Sequence, residues 1–110
     1  MDSKLLIIIA TGEKEKALTG LMYARNAIGR EWLGDVKVIF FGPIQGLMVN
    51  DEDVSNAAKE VAAIGGAVAC KFIADRDTIS DGIEELGVDV EYVGPLISDM
   101  INDGYQTMVW

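Results

Sequence analysis

The stretch "KLLIIIATG", residues Lys4–Gly12, decides how the chain is read. Lys4 to Ala10 form an unbroken apolar, β-branched run, the habit of a strand buried on both faces and hence of a parallel sheet. Thr11 and Gly12 punctuate it. A helical pattern follows from Glu13 to Leu33, with apolar residues at Leu18, Leu21, Met22, Ile28 and Trp32. That spacing is helical and not alternating. A buried strand running into an amphipathic helix is the opening of a β-α-β unit, and the rest of the chain repeats the alternation.

"DVKVIFF", Asp35 to Phe41, reads as a second strand closed by Gly42 and Pro43. The loop "GPIQGLMVN" then leads to Asn50, expected to cap a helix whose first turn is "DED" and whose buried stripe is Val54, Ala57, Ala58, Val61 and Ile64. Carboxylates in a first turn suit the positive end of the helix dipole. Gly65 and Gly66 end that helix. Ala67 to Ile73, "AVACKFI", is expected to be the third strand, Thr78 to Leu86 a short helix, and Val88 to Val93 a fourth strand. Pro95 reads as the first residue of a helix, a favoured place for proline. Ile97, Met100 and Ile101 of that helix point inward, and Gly104 stops it. Tyr105 to Trp110 close the series as a fifth strand. Strict alternation with apolar strands predicts one α/β domain over residues 1–110, its parallel sheet covered by helices on both faces. The chain shows no internal repeat, low-complexity tract or linker.

The chain has 110 residues, half of them hydrophobic, enough for one core. The apolar surplus points to a subunit interface, so a homo-oligomer is expected. With 9 basic against 18 acidic residues the net charge is −9. A polyanion rewards clustered Lys and Arg, so nucleic acid is not an expected partner, nor is an anionic membrane surface. The N-terminal apolar run is too short for a signal peptide, and no apolar stretch is long enough to span a bilayer. A cytoplasmic location is expected.

There is no histidine and a single cysteine, Cys70. Ser-His and Cys-His dyads, the usual zinc sites and an internal disulfide are thereby excluded. No metal or cofactor site is expected. In open α/β sheets ligands bind beyond the carboxyl ends of the strands. Thr11, Gly12, Gly42, Pro43, the Cys70 to Asp77 stretch, Gly94 and Pro95 populate that rim and make it a candidate small-ligand site. None of its glycine patterns matches a dinucleotide fingerprint or a P-loop. For Cys70 two readings stand. Lys71 and Arg76 are near in sequence, and cations lower a thiol pKa. Free cysteines are also among the most buried residue types, and Val68, Ala69 and Phe72 read as core. Alternation places Val68, Cys70 and Phe72 on one sheet face and Ala67, Ala69 and Lys71 on the other. Arg25 falls amid the apolar arc of the first helix. It must snorkel or meet a carboxylate, within the chain or across an interface.

The opening strand and long helix, "VIFFGPIQGLM", "GGAVACKFIAD" and the closing "VEYVGPLISDMINDGYQTMVW" together resemble the DsrE/DsrF-like family of small sulfur-relay proteins over nearly the whole chain. The resemblance implies a three-layer α/β/α sandwich with a five-stranded parallel sheet in the order 4-3-2-1-5, and assembly into trimers or hexamers. It also implies that Cys70 receives a persulfide from a donor protein and passes it to an acceptor thiol. "KFIAD" after the cysteine resembles the stand-alone archaeal-type members more than the relay subunits of dissimilatory sulfur oxidation. Persulfide transfer needs one accessible thiolate and a docking partner, but no second cysteine, metal or imidazole. A self-sufficient peroxidase would need a resolving thiol. The alternative is a non-catalytic oligomeric module that binds a small ligand or nucleotide at the rim, with Cys70 as packing.

Overall fold

In a computed structural model, which describes residues 2–110, the chain folds as strands β1 (Lys4–Ile9), β2 (Asp35–Phe40), β3 (Val68–Cys70), β4 (Asp89–Glu91) and β5 (Gln106–Val109). The helices between them are α1 (Lys14–Gly29), α2 (Ile44–Asn50), α3 (Glu52–Gly65), α4 (Lys71–Arg76), α5 (Ser80–Glu84) and α6 (Val93–Asn102). All strand pairs are parallel, and the sheet order is β4-β3-β2-β1-β5. The expected α/β sandwich and strand order are therefore met.

The two faces of the sheet are unequal. Leu5, Ile7 and Ile9 of β1, Val36, Val38 and Phe40 of β2, and Ala69 of β3 point to the larger core. There they meet Ala17, Leu21, Ala24 and Ala27 of α1, Ile44 and Met48 of α2, Val54, Ala58 and Val61 of α3, and Ile83 of α5. The alanines on α1 keep its inner face small. The other face carries Leu6, Ile39 and Cys70, covered by Val93, Leu96, Ile97 and Met100 of α6. This explains the opening run: β1 is flanked by β2 and β5 and covered on both sides, so it has no polar face to show.

Several expectations are corrected. Asp51, not Asn50, caps α3, its carboxylate accepting the Val54 N–H at 3.1 Å. The segment before it, read as a loop, is α2, with Ile44 and Met48 buried one turn apart. The third strand stops at Cys70, and Lys71 already begins α4. Phe72 is consequently 64 % exposed and not core. Met22, Trp32, Ile64 and Ile101 are also exposed. Thr78 lies outside a helix at a φ of 56°, and α5 starts at Ser80. Pro95 is the third residue of α6, whose first residue is Val93. It fits there because the N–H of a first-turn residue has no partner within its helix. Arg25 meets Glu60 of α3 at 2.7 Å within its own chain, both side chains mostly exposed.

Candidate functional site

The carboxyl ends of the strands form one rim, ordered across the sheet as Trp110, Thr11–Gly12, Gly42–Pro43, Cys70 and Tyr92. Its order between β1 and β2 comes from tight backbone approaches. Gly42 has φ +141°, and a Cβ there would stand 2.8 Å from the Ala10 carbonyl oxygen. Glycine is therefore required twice over, by conformation and by space. A Cβ on Gly12 would stand 3.0 Å from the Cβ of Pro43, so the first two loops touch.

Most main-chain donors on this part of the rim are committed. Strand order reverses between β1 and β5, the place where α/β sheets commonly hold a ligand. Trp110 occupies it: its main-chain oxygen accepts from Ala10 N–H at 2.8 Å and Thr11 N–H at 3.2 Å. Its ring lies so close to Gly20 that a Cβ there would be 2.8 Å from Trp110 Cγ. Thr11 Oγ1 accepts from Glu13 N–H, and Gly42 N–H donates to Gln45. Thr11, Gly12, Gly42 and Pro43 are thus brought together, but their geometry serves the fold. Gly94 and Pro95 stand apart from them in the first turn of α6, beyond β3 and β4.

Cys70 is the last residue of β3 and the cap residue of α4. Its side chain is 5 % exposed and packs with Leu6, Ile39 and Val93. Its anchor comes from a distant element. Gln45, wholly buried, donates from Nε2 to the Cys70 carbonyl oxygen at 3.0 Å, while its Oε1 accepts the Gly42 N–H at 3.2 Å. One side chain thereby ties the end of β2 to the strand–helix junction at Cys70. A buried amide must satisfy both its ends, and this one does. A lone glutamine in the apolar run "GPIQGLM" was the available signal.

Register adds one further neighbour. Cys70 pairs with Glu91 of β4, so the two residues lie on the same face of adjacent strands. Glu91 is exposed, whereas the thiol is covered by Leu6, Ile39 and Val93. Spacing within a single strand cannot reveal a neighbour on the next.

Lys71 and Arg76, expected to support a thiolate, each have a carboxylate partner. Lys71 Nζ lies 3.0 Å from Asp75 one turn on and 6.0 Å from the Tyr92 ring centroid. The Asp75 contact is the main cause that raises its pKa. Arg76 grips Asp77 through Nε and a terminal nitrogen, at 2.9 and 3.2 Å, and that pairing dominates its raised pKa.

Away from the rim, a cleft of about 410 Å³ opens at the opposite end of the sheet, lined by Ile28, Glu31, Leu33 and Asp35 among others. Beside it the Tyr105 hydroxyl donates to the Asp35 carboxylate. Among the described residues no group of three or more His, Cys, Asp or Glu side chains is placed to hold a metal ion. No helix among them is long and apolar enough to cross a membrane.

No family model and no curated protein matches the chain. Among solved structures it is similar to the conserved protein of unknown function BT1422 from Bacteroides thetaiotaomicron. The two share 24 % identity over 98 % of this chain and 95 % of that one, with a TM-score of 0.91. It is also similar to the protein of unknown function MTH1491 from Methanobacterium thermoautotrophicum, at 16 % identity over 99 % of this chain and all of the other, with a TM-score of 0.75. At these identities the likeness shows a shared fold, an α/β sheet in which the strand order 4-3-2-1-5 sets what reaches the rim.

Proposed function

We propose that the protein is a cytoplasmic, homo-oligomeric sulfur carrier of the DsrE/DsrF type, with Cys70 as the group that accepts and passes on sulfane sulfur. The observation that carries this reading is the buried Gln45 clamp on the Cys70 carbonyl. A wholly buried amide is spent on fixing the main chain at the only thiol, at the edge where α/β proteins do chemistry. The Thr11 and Gly42 N–H groups already have protein partners, which leaves Cys70 as the reactive group of the rim.

In the loading step the Cys70 thiolate attacks the outer sulfur of a donor persulfide, R–S–SH. A bond forms between the two sulfurs as the donor S–S bond breaks, and R–S⁻ leaves with the electron pair. The proton of the outer sulfur stays with it, giving Cys70–S–SH. Unloading is the same exchange with an acceptor thiolate attacking that outer sulfur. No net oxidation occurs, so no cofactor is required. A donor would approach at the start of α4, where Phe72, the next residue but one, is exposed.

Exposure of the folded protein to glutathione persulfide, read by intact mass, tests this. Wild type should gain one sulfur atom that dithiothreitol removes, and Cys70→Ser should gain none. Equal loading of Cys70→Ser, or failure of folded wild type to load, would overturn the proposal. The 5 % exposure of Cys70 favours one second reading, a ligand- or nucleotide-binding module in which the thiol is packing. That reading expects alkylation of Cys70 only on unfolding, together with a thermal shift from at least one nucleotide or small anion.

A further inference from the structure

We infer that the free edge of β5 pairs antiparallel with the β5 edge of a second copy of this chain, joining two sheets into one. This deepens the oligomeric part of the proposed function, on which it rests, and is independent of the chemistry of Cys70.

The main chain supplies the first observation. Trp110 N–H donates to Ile8 O, and Trp110 O accepts from Ala10 and Thr11 N–H, so Trp110 faces β1. Strand alternation turns Met108 the same way and leaves the N–H and C=O groups of Thr107 and Val109 pointing outward. Among the described residues no hydrogen bond satisfies them from another element, since β5 is a sheet edge that pairs with β1 alone. Exposed edges are commonly blunted by charge, proline or a bulge. The other edge is blunted: β4 carries Asp89 and Glu91, both exposed. β5 has none of these devices, and Tyr105 to Trp110 contain no charged residue.

Charge then chooses the occupant. A chain of net charge −9 repels its own copies wherever acidic surfaces meet, and acidic β4 cannot pair with itself. The uncharged β5 edge can. A two-fold axis at Met108 sets Thr107 of each copy opposite Val109 of the other, so each outward N–H finds an outward C=O. Val109, 64 % exposed, lies beside this axis. Gly20 of α1 packs on the Trp110 ring at the end of the same edge.

The test is the mass of the full chain in solution, by sedimentation equilibrium over a concentration series. Wild type should form an assembly with an even number of copies. Thr107→Pro removes an outward N–H that no intrachain bond uses, and Val109→Glu sets added acid at the axis. Each should weaken the two-fold contact about tenfold or more while far-UV circular dichroism stays as in wild type. Should Thr107→Pro not fold, Val109→Glu alone decides. A monomeric wild type would overturn both the oligomeric reading and this edge. An assembly unchanged in both variants, or a trimer, would overturn the edge alone. Persulfide loading of the dissociated variants reads Cys70 separately, and Cys70→Ser should leave the mass of the assembly unchanged.

Discussion

Replacing Gln45 by methionine tests whether the rim is held as described. The thioether keeps the length and most of the volume of the glutamine but makes neither hydrogen bond. The Gly42 N–H is left without its partner, and the Cys70 carbonyl loses its donor from Gln45. A stranded, part-buried donor costs about 1–3 kcal/mol and one lost neutral hydrogen bond about 1 kcal/mol, so the gross loss is about 2–4 kcal/mol. Easier burial of an apolar side chain returns about 1 kcal/mol, leaving a net loss of about 1–3 kcal/mol. For 110 residues the unfolding entropy scale converts this to a fall of about 4–13 °C in melting midpoint. Guanidinium unfolding measures the stability, and alkylation of Cys70 in native buffer measures the local effect. The thiol should react faster than the global loss accounts for, because the clamp acts at its own backbone. In Gln45→Glu only the protonated carboxyl can donate to the Cys70 carbonyl. Its folded pKa is therefore raised, and its stability should approach wild type at acid pH and fall away as pH rises through that value. A change in Gln45→Met below about 0.5 kcal/mol, with the alkylation rate unchanged, would refute the idea that Gln45 organises the site.

Further outcomes follow from particular contacts. Gly20→Ala forces a methyl against Trp110 and should destabilise by about 1 kcal/mol after its gain in helix propensity, whereas Gly29→Ala points into open space and should be neutral or stabilising; thermal melts of the two variants separate the effects. The Asp35 carboxylate, with burial adding to it, pushes the Tyr105 hydroxyl up from its ordinary 10.0 to about 12. Because the folded pKa is the higher, this contribution to stability is complete below about pH 10 and is lost as pH rises towards 12. Ultraviolet titration should show one late tyrosine in wild type that is missing from Tyr105→Phe. The Arg25–Glu60 pair is mostly exposed, so a double-mutant cycle should return no more than about 1 kcal/mol, shrinking with added salt.

How far the sequence could be read depended on whether a signal was periodic and local. "KLLIIIA" announced a strand buried on both faces, and the order of strands and helices followed from alternation. For Arg25 the sequence leaves snorkelling and pairing open; the guanidinium is mostly exposed and also meets Glu60, which could be named only once α1 and α3 lay side by side. The apolar run Ala67 to Ile73 misled because short apolar segments suit strand and helix alike. β3 keeps only Val68 to Cys70, and the turn into α4 carries Phe72 out to solvent. "PIQGLM" reads as a loop because of its proline and glycine, although Ile44 and Met48 are one helical turn apart.

By itself the sequence determined the class of fold, since strand and helix periods are written in successive residues. It also limited the covalent chemistry, since a chain with one thiol and no imidazole has few nucleophiles to offer. Tertiary structure alone decided what surrounds that thiol. Gln45 reaches Cys70 from 25 residues away, and Glu91 arrives through strand register. It decided, too, that Lys71 and Arg76 spend their charge mainly on Asp75 and Asp77, and that Trp110 fills the place where strand order reverses. Side-chain spacing within a segment records which way that segment faces; which segment it will face is set only when the sheet closes.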